Sequence, residues 1–256
     1  MKAALAPAGG PVRSEAVYRA AAEAARFRQL TIQMLRTRLT SVTMTELARF
    51  DHAYIGGQQD GDVYLIEQGQ VKSQIVTAGG KRCLLSIYAG GDVFGEAALL
   101  GVERPDTAVA LTRTVLWRVP VERFRAALKA DGLEDAYLRY LHLRLLDQQR
   151  IIAHMATMSS ELRLAVRLLD LAARFGSPCR FGVQLLIRLT QEDLAEMVGT
   201  TRTRVGQFLT RFRQAGLIQL SRQSHLLIDE LRLAGWIQRE ASLPRQAEEI
   251  SSAAHY

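Results

Sequence analysis

Residues 189–218 read LTQEDLAEMVGTTRTRVGQFLTRFRQAGLI. Thr190 carries the hydroxyl of a helix N-cap, and Asp193, three positions on, can reach back to the first free amides, the spacing of a capping box. Leu194, Ala195 and Val198 then share the inner face of a short helix, and Gly199 stands where a helix can stop in a left-handed conformation. Thr200 or Thr201 caps a second helix whose inner face is Val205, Leu209 and Phe212. Two short helices across a tight Gly turn make a helix-turn-helix, and the second helix of such a pair can enter a DNA major groove.

The same periodicity turns Arg202, Thr203, Gly206, Gln207 and Thr210 away from the inner face. The fork of Arg202 matches guanine O6 and N7, and the amide of Gln207 can pair with adenine. Thr201 and Arg211 are placed for phosphates, which position a helix without reading sequence, while Arg204 fits either role. The plain alternative is a solvated face of ordinary arginines. Residues 200–213 hold four arginines and no acid, which favours the groove. Downstream, the apolar segments 217–220 and 225–228 flank Ser221-Arg222-Gln223-Ser224, a β-hairpin wing with Arg222 near its tip as a phosphate contact. His225 reads as a surface turn residue, and Asp229 can cap a final helix running to about Arg239. The DNA-facing set is thus Thr190, Thr201, Arg202, Thr203, Arg204, Gln207, Thr210, Arg211 and Arg222.

Upstream, residues 133–158 form a long helical segment with Tyr137, Leu141, Leu145, Ile152 and Met155 at apolar positions and Gln148 completing a 3-4 spacing. That stripe suits a paired helix and hence a dimer; packing on its own domain is the alternative. Ser159-Ser160-Glu161 can cap the next helix, whose Leu164, Val166, Leu168, Leu169 and Leu171 precede Gly176, and the Ser-rich break reads as a hinge. Before the long helix come short strand-like runs at 54–55, 63–66, 71–76, 83–88, 107–111 and 115–119, separated mostly by Gly turns. They predict an antiparallel sandwich or roll, closed at Pro120 and followed by a short helix over 121–129. Residues 15–50 carry a helical pattern through Leu30, Ile32, Met34, Leu35 and Leu39, and the Thr43/Glu46 spacing predicts one more short helix start. The Ala/Gly/Pro-rich beginning and the end beyond Pro244 read as loose tails.

The fold class is therefore α+β: an antiparallel β-roll, a long dimerisation helix and a C-terminal winged helix-turn-helix. The expected division is a tail over 1–15, N-terminal helices and effector-sensing roll over 16–131, the dimerisation helix over 132–158, the DNA-binding domain over 159–243 and a tail over 244–256. Basic side chains outnumber acidic ones by 33 to 26, for a formal charge of +7, which suits a polyanionic partner. Cys83 and Cys179 form neither a CxxC pair nor a Cys/His cluster, so no zinc or iron–sulfur site and no disulfide framework is expected. His52, His142 and His154 carry no haem signal above that of ordinary histidines. There is no signal-like apolar run or membrane-length apolar stretch, and the expected location is cytoplasmic. No nucleophile elbow, P-loop or nicotinamide fingerprint is present, so no catalytic role is expected.

GDVYLIEQGQVK (61–72), GGDVFGEAALL (90–100) and the 190–218 stretch together resemble the CRP/FNR family of transcription regulators, the group of the cyclic-AMP receptor protein, over roughly residues 60–233. The resemblance implies a homodimer with an effector-sensing roll, a recognition helix over about 201–212 and, in an activator, contact with RNA polymerase. It assigns Arg202 to a guanine. Thr203 and Gln207 stand where the family commonly has Glu and Arg, so the operator should differ from that of the cyclic-AMP receptor protein, while two-fold symmetry implies a near-palindromic site. The first 50 residues do not match well, and the family's apolar opening of the roll is hard to find before Ile55. The cysteine cluster of the family's iron–sulfur sensors is lacking.

The resemblance also implies an effector site in which Glu96 would meet a ribose hydroxyl, Arg104 a phosphate, and Thr107 could add a hydroxyl. Here Pro105 removes a backbone N–H and Asp106 brings a carboxylate to the phosphate position, which weighs against conventional cyclic AMP binding. A different small ligand, or none, remains open; so does an Arg104 ion pair with Asp106 or Glu96 in a vestigial pocket. The rival function is a cyclic-nucleotide-binding module acting on a protein partner. The basic recognition helix counts against it.

Overall fold

The alanine-rich N-terminal run forms a single helix, α1 (Glu15–Arg38), rather than continuing in helical form to residue 50. The computed structural model describes residues 15–39 and 42–242; the rest of both expected tails lies outside the described residues. Thr43 and Glu46 do not cap a helix. They belong to strand β1 (Thr43–Leu47), which pairs antiparallel with β8 (Thr114–Pro120), Thr43 opposite Arg118 and Leu47 opposite Thr114. A capping box satisfies two amides locally, whereas the ladder satisfies the strand's backbone along its length, so the tertiary pairing wins. The next strand, β2, is His52–Tyr54 instead of 54–55. The roll thus opens before Ile55, where the family pattern was hard to find.

The remaining roll strands are β3 (Asp62–Gln68), β4 (Gln70–Val76), β5 (Arg82–Ala89), β6 (Val93–Phe94) and β7 (Thr107–Ala110). They form two four-stranded sheets, ordered β1-β8-β3-β6 and β2-β7-β4-β5. Tyr64 and Tyr88 each stack on Phe94 with ring centroids 5.2 Å apart, and Tyr54, Ile66 and Leu116 complete the buried cluster.

Helices α2 (Val121–Ala130) and α3 (Glu134–Thr157) follow. Tyr137 does not lie on an open stripe of α3: it is buried against Phe27 of α1, and Phe124 of α2 meets it edge-on. Gln148 also turns inward, donating to Leu85 O and Ser86 Oγ of β5. The open stripe is Leu138, Leu145 and Ile152, at one seven-residue interval after another and 63%, 53% and 68% exposed. Gly91 decides how closely α1 can approach. Its φ is +85°, and a Cβ there would stand 2.6 Å from the Arg28 Cβ and 2.7 Å from the Arg28 carbonyl oxygen.

The last unit comprises α4 (Ser160–Phe175), α5 (Gln191–Val198), α6 (Arg202–Gln214), α7 (Glu230–Ser242) and a sheet of order β11-β12-β10-β9. Its strands are β9 (Gly176–Cys179), β10 (Gly182–Leu185), β11 (Ile218–Leu220) and β12 (Leu226–Ile228). The β9–β10 hairpin has no counterpart in the sequence reading, because GSPC and GVQL show no clear alternation. The unit docks on the roll: Leu84, Ile87 and Leu111 join its apolar core, and Lys72 Nζ lies 2.7 Å from Asp193 Oδ1 and 3.6 Å from Glu196 Oε2. Lys72, Asp193 and Glu196 are all buried. Against an apolar replacement such an ion pair is worth little, so the leucine and isoleucine contacts supply the attraction and the charges set the register.

Two consequences are measurable by urea denaturation. Gly91→Ala should cost about 2 kcal/mol or more, because a left-handed residue and a clash with α1 coincide. Lys72→Met should cost about 3 kcal/mol, since it leaves the buried Asp193 without its cation and Glu196 with only Arg82, 4.0 Å away; a loss below about 1 kcal/mol would mean that the carboxylates are solvated after all.

Candidate nucleic-acid interface

Helix α5 starts as its sequence predicts. Thr190 Oγ1 accepts from Asp193 N at 3.0 Å, and Asp193 Oδ2 accepts from Thr190 N at 2.9 Å. Burial alone would raise the Asp193 carboxyl, but hydrogen bonds from Lys72 and Thr190 outweigh it and hold the group below the ordinary carboxylate range. Gly199 ends the helix with φ +66°. Thr201 then caps α6, its hydroxyl accepting from Arg204 N at 3.3 Å. Between Thr200 and Thr201, the sequence alternatives, the cap is Thr201.

Val205, Leu209 and Phe212 are buried as expected, together with Phe208. The outer face of α6 carries Arg202, Thr203, Arg204, Gln207 and Thr210, all exposed, with Gly206 half-buried among them. A Cβ at Gly206 would stand 3.2 Å from Gln191 Oε1, so this position keeps the two helices close. Arg211 is exposed but already engaged, donating to Glu161 Oε2 at 2.6 Å. Burial raises the Glu161 carboxyl, and Arg211 opposes that shift. Arg222 lies exposed in the turn between β11 and β12, and Asp229 caps the start of α7 through Arg232 N. Thr190 and Thr201 sit at the heads of the two helices with their hydroxyls committed to capping.

Sequence reasoning missed two residues that hold this face in place. Arg163 of α4 donates to Val198 O at 2.9 Å and to Met158 O at 2.7 Å, tying the end of α5 to the break between α3 and α4. Lys72, from the roll, anchors the capping residue Asp193. Neither tie to α5 has a local signal, since Val198 is 35 residues from Arg163 and Asp193 is 121 residues from Lys72.

The four effector candidates are engaged by other partners. Arg104 is 2% exposed and pairs with Asp60, not with Asp106 or Glu96 as the vestigial-pocket alternative supposed. Its guanidinium also donates to Gly95 O and lies 4.4 Å over the Tyr54 ring. Two carbonyls, a carboxylate and an aromatic face together satisfy a buried cation better than one nearby acid could. Glu96 pairs with Arg144 of α3. Asp106 accepts from Tyr54 Oη at 3.0 Å and from Ser73 Oγ, and burial together with Asp106 raises the Tyr54 phenol, keeping it a donor. Thr107 Oγ1 accepts from Gly56 N at 3.0 Å. Among the described residues no group of three or more His, Cys, Asp or Glu could hold a metal, and no helix is long and apolar enough to cross a membrane.

Comparison with known proteins agrees with these elements. Residues 45–131 match the cyclic nucleotide-binding domain family and residues 162–236 the Crp-like helix-turn-helix domain family. The chain is 32% identical over 189 residues to a CRP-like cAMP-activated global transcriptional regulator of Mycobacterium tuberculosis, covering 72% of this chain and 83% of the relative. It is 30% identical over 176 residues to a global nitrogen regulator of Synechococcus elongatus, covering 67% and 79%. Among solved structures, a CooA variant from Carboxydothermus hydrogenoformans superposes with a TM-score of 0.68 at 21% identity over 80% of this chain and 94% of that one, a likeness of fold. A CRP-family regulator from Thermus thermophilus gives 0.60 at 26% identity over 78% and 97%. With both domains matched in the order in which they fold, and the capped helix pair built as its sequence requires, this chain belongs to the CRP/FNR family of DNA-binding transcription regulators.

Proposed function

We propose that the protein binds a near-palindromic operator as a homodimer, paired through α3, with α6 of each protomer in a major groove. The observation that carries this reading is the outer face of α6, where Arg202, Thr203, Gln207 and Thr210 are exposed and no acid intervenes. Arg202 reads a guanine and Gln207 an adenine; Arg204, Arg211, Arg222 and the helix heads at Thr190 and Thr201 meet phosphates. Arg211 would exchange Glu161 for a phosphate on docking. The working division is the roll with its helices over 16–131, the pairing helix over 132–158 and the DNA-binding unit over 159–243. The exposed Leu138, Leu145 and Ile152 support pairing through α3, since three large apolar side chains on one helix stripe are costly to leave in water. A cytoplasmic site of action and contact with RNA polymerase follow from this role.

The mycobacterial relative is described as cAMP-activated. For this chain the partners of Glu96, Arg104, Asp106 and Thr107 favour the vestigial reading of the roll pocket. A nucleotide phosphate would have to displace Asp60 from Arg104 and settle beside Asp106, two unfavourable exchanges.

Selection from a random duplex pool, followed by binding to the selected palindrome and its single-base variants, tests the reading. Arg202→Ala should lose about 1–3 kcal/mol of discrimination at one base pair in each half-site; an equal loss on every sequence would make it a phosphate contact. Ile152→Glu should raise the dimer dissociation constant by about a hundredfold or more in sedimentation experiments, because the seam would bury a carboxylate. An unchanged dimer would place the pairing surface elsewhere.

A further inference from the structure

We propose that the cleft enclosed by α1, the β5–β6 turn, α3 and α4 binds a small organic anion, a phosphate or carboxylate joined to an apolar portion. The inference rests on the regulator reading above, with this cleft as a place where an effector acts. The cleft has a volume of about 450 Å³, within the range that accommodates a metabolite. Another cleft, of about 520 Å³, opens on the roll beside Arg104, Pro105, Asp106 and Thr107, but Arg104 there is already held by Asp60 and Asp106 adds a carboxylate to the wall, so it suits an anion less well.

Charge defines the class of ligand. Five arginines line the cleft, Arg28 from α1, Arg144 and Arg150 from α3, and Arg167 and Arg174 from α4, against Asp92, Asp147 and Asp170. Even when Glu96 is counted as the partner of Arg144, cations outnumber anions. Asp147 accepts from Arg150 at 2.6 Å, and Asp170 lies 3.5 Å from Arg150 and 3.4 Å from Arg167. Arg167 is poorly satisfied. Its side chain is 11% exposed, its hydrogen bond to Asp170 is long, and its Nε has no acceptor among the described residues. The Nε of Arg150 is buried without an acceptor as well. A shielded guanidinium N–H left unpaired is costly, and an oxyanion bridging Arg150 and Arg167 would remove that cost with charge-assisted bonds. The other walls are apolar, contributed by Ala24, Leu143, Leu146 and Leu171, so the anion must carry an apolar portion.

The position suits regulation. Leu143, Asp147 and Arg150 lie on the side of α3 turned away from Leu138, Leu145 and Ile152, so a partner helix on that stripe would leave the cleft accessible. Arg150 belongs to the pairing helix and Arg167 to the first helix of the DNA-binding unit, on either side of the Ser159 break. A ligand held by both would favour one angle between α3 and α4, and through it one spacing of the two α6 helices.

The test is isothermal titration calorimetry on the full chain with phenyl phosphate and with benzoate, using inorganic phosphate as the control without an apolar portion. Saturable binding of at least one of the two, one per chain and stronger than inorganic phosphate, is expected. Arg167→Gln should weaken it about tenfold or more. Ala173→Glu, at an exposed position on the cleft rim, should do the same by adding a carboxylate without touching an ion pair, which covers the case in which Arg167→Gln disturbs folding. Operator affinity should then change with the bound anion in the wild type and not in Ala173→Glu. No binding of either organic anion, or binding indifferent to both substitutions, would overturn the inference and leave operator recognition standing. Anion binding in a chain that selects no operator would instead overturn the regulator reading alone.

Discussion

A carboxylate 1% exposed at Asp92 must be satisfied from within the protein, and the groups that satisfy it come from four directions. Its own turn supplies Ala89 N at 2.9 Å, α3 supplies Tyr140 Oη at 3.1 Å, and α1 brings Arg28 to 3.1 Å. From α4, Arg174 stands 3.9 Å away and also donates to Ile87 O. The roll, the N-terminal helix, the pairing helix and the first helix of the DNA-binding unit therefore meet at one charge. Gly91, beside it, lets α1 come close enough for Arg28 to arrive. Phe27, stacked on Tyr140 at 4.6 Å, supplies the apolar contact that this polar junction lacks.

A second junction ties α5 to the roll. Asp193 closes the capping box of α5 and at the same time accepts from Lys72. The helix that supports α6 is thus started and docked by the same carboxylate. Disturbing the docking also disturbs the cap, so a change in the roll reaches the exposed face of α6 through very few atoms. Arg163 makes the corresponding link at the other end of α5, where it holds Val198 O.

These two junctions link the roll to the helices that follow it. In the roll Arg104 is bound to Asp60 and Asp106 stands beside it, so the cation a nucleotide phosphate would need is already taken although a cleft of about 520 Å³ opens there. Between the roll and the helices a further cleft is bordered by the buried Nε atoms of Arg150 and Arg167, which have no acceptor among the described residues. These two unpaired N–H groups are placed to respond to an added anion.

Much of this architecture was legible from local chemistry. The capping box of Thr190 and Asp193, the left-handed Gly199 and the 3.6-residue spacing of Val205, Leu209 and Phe212 are properties of adjacent residues, and each appears as the sequence specifies. The exposed face of α6 follows from the same periodicity. The strands β3, β4, β5, β7 and β8 were likewise marked by apolar runs between turns. What the tertiary structure alone decided involves residues far apart in the chain: β1 in place of a helix start, the inward turn of Tyr137, the Arg104–Asp60 pair, and the meeting of Lys72 with Asp193. A capping motif or an amphipathic stripe is encoded over one or two turns of backbone. An ion pair or a sheet edge depends on which distant group arrives first at the right distance, and only the packed chain determines that.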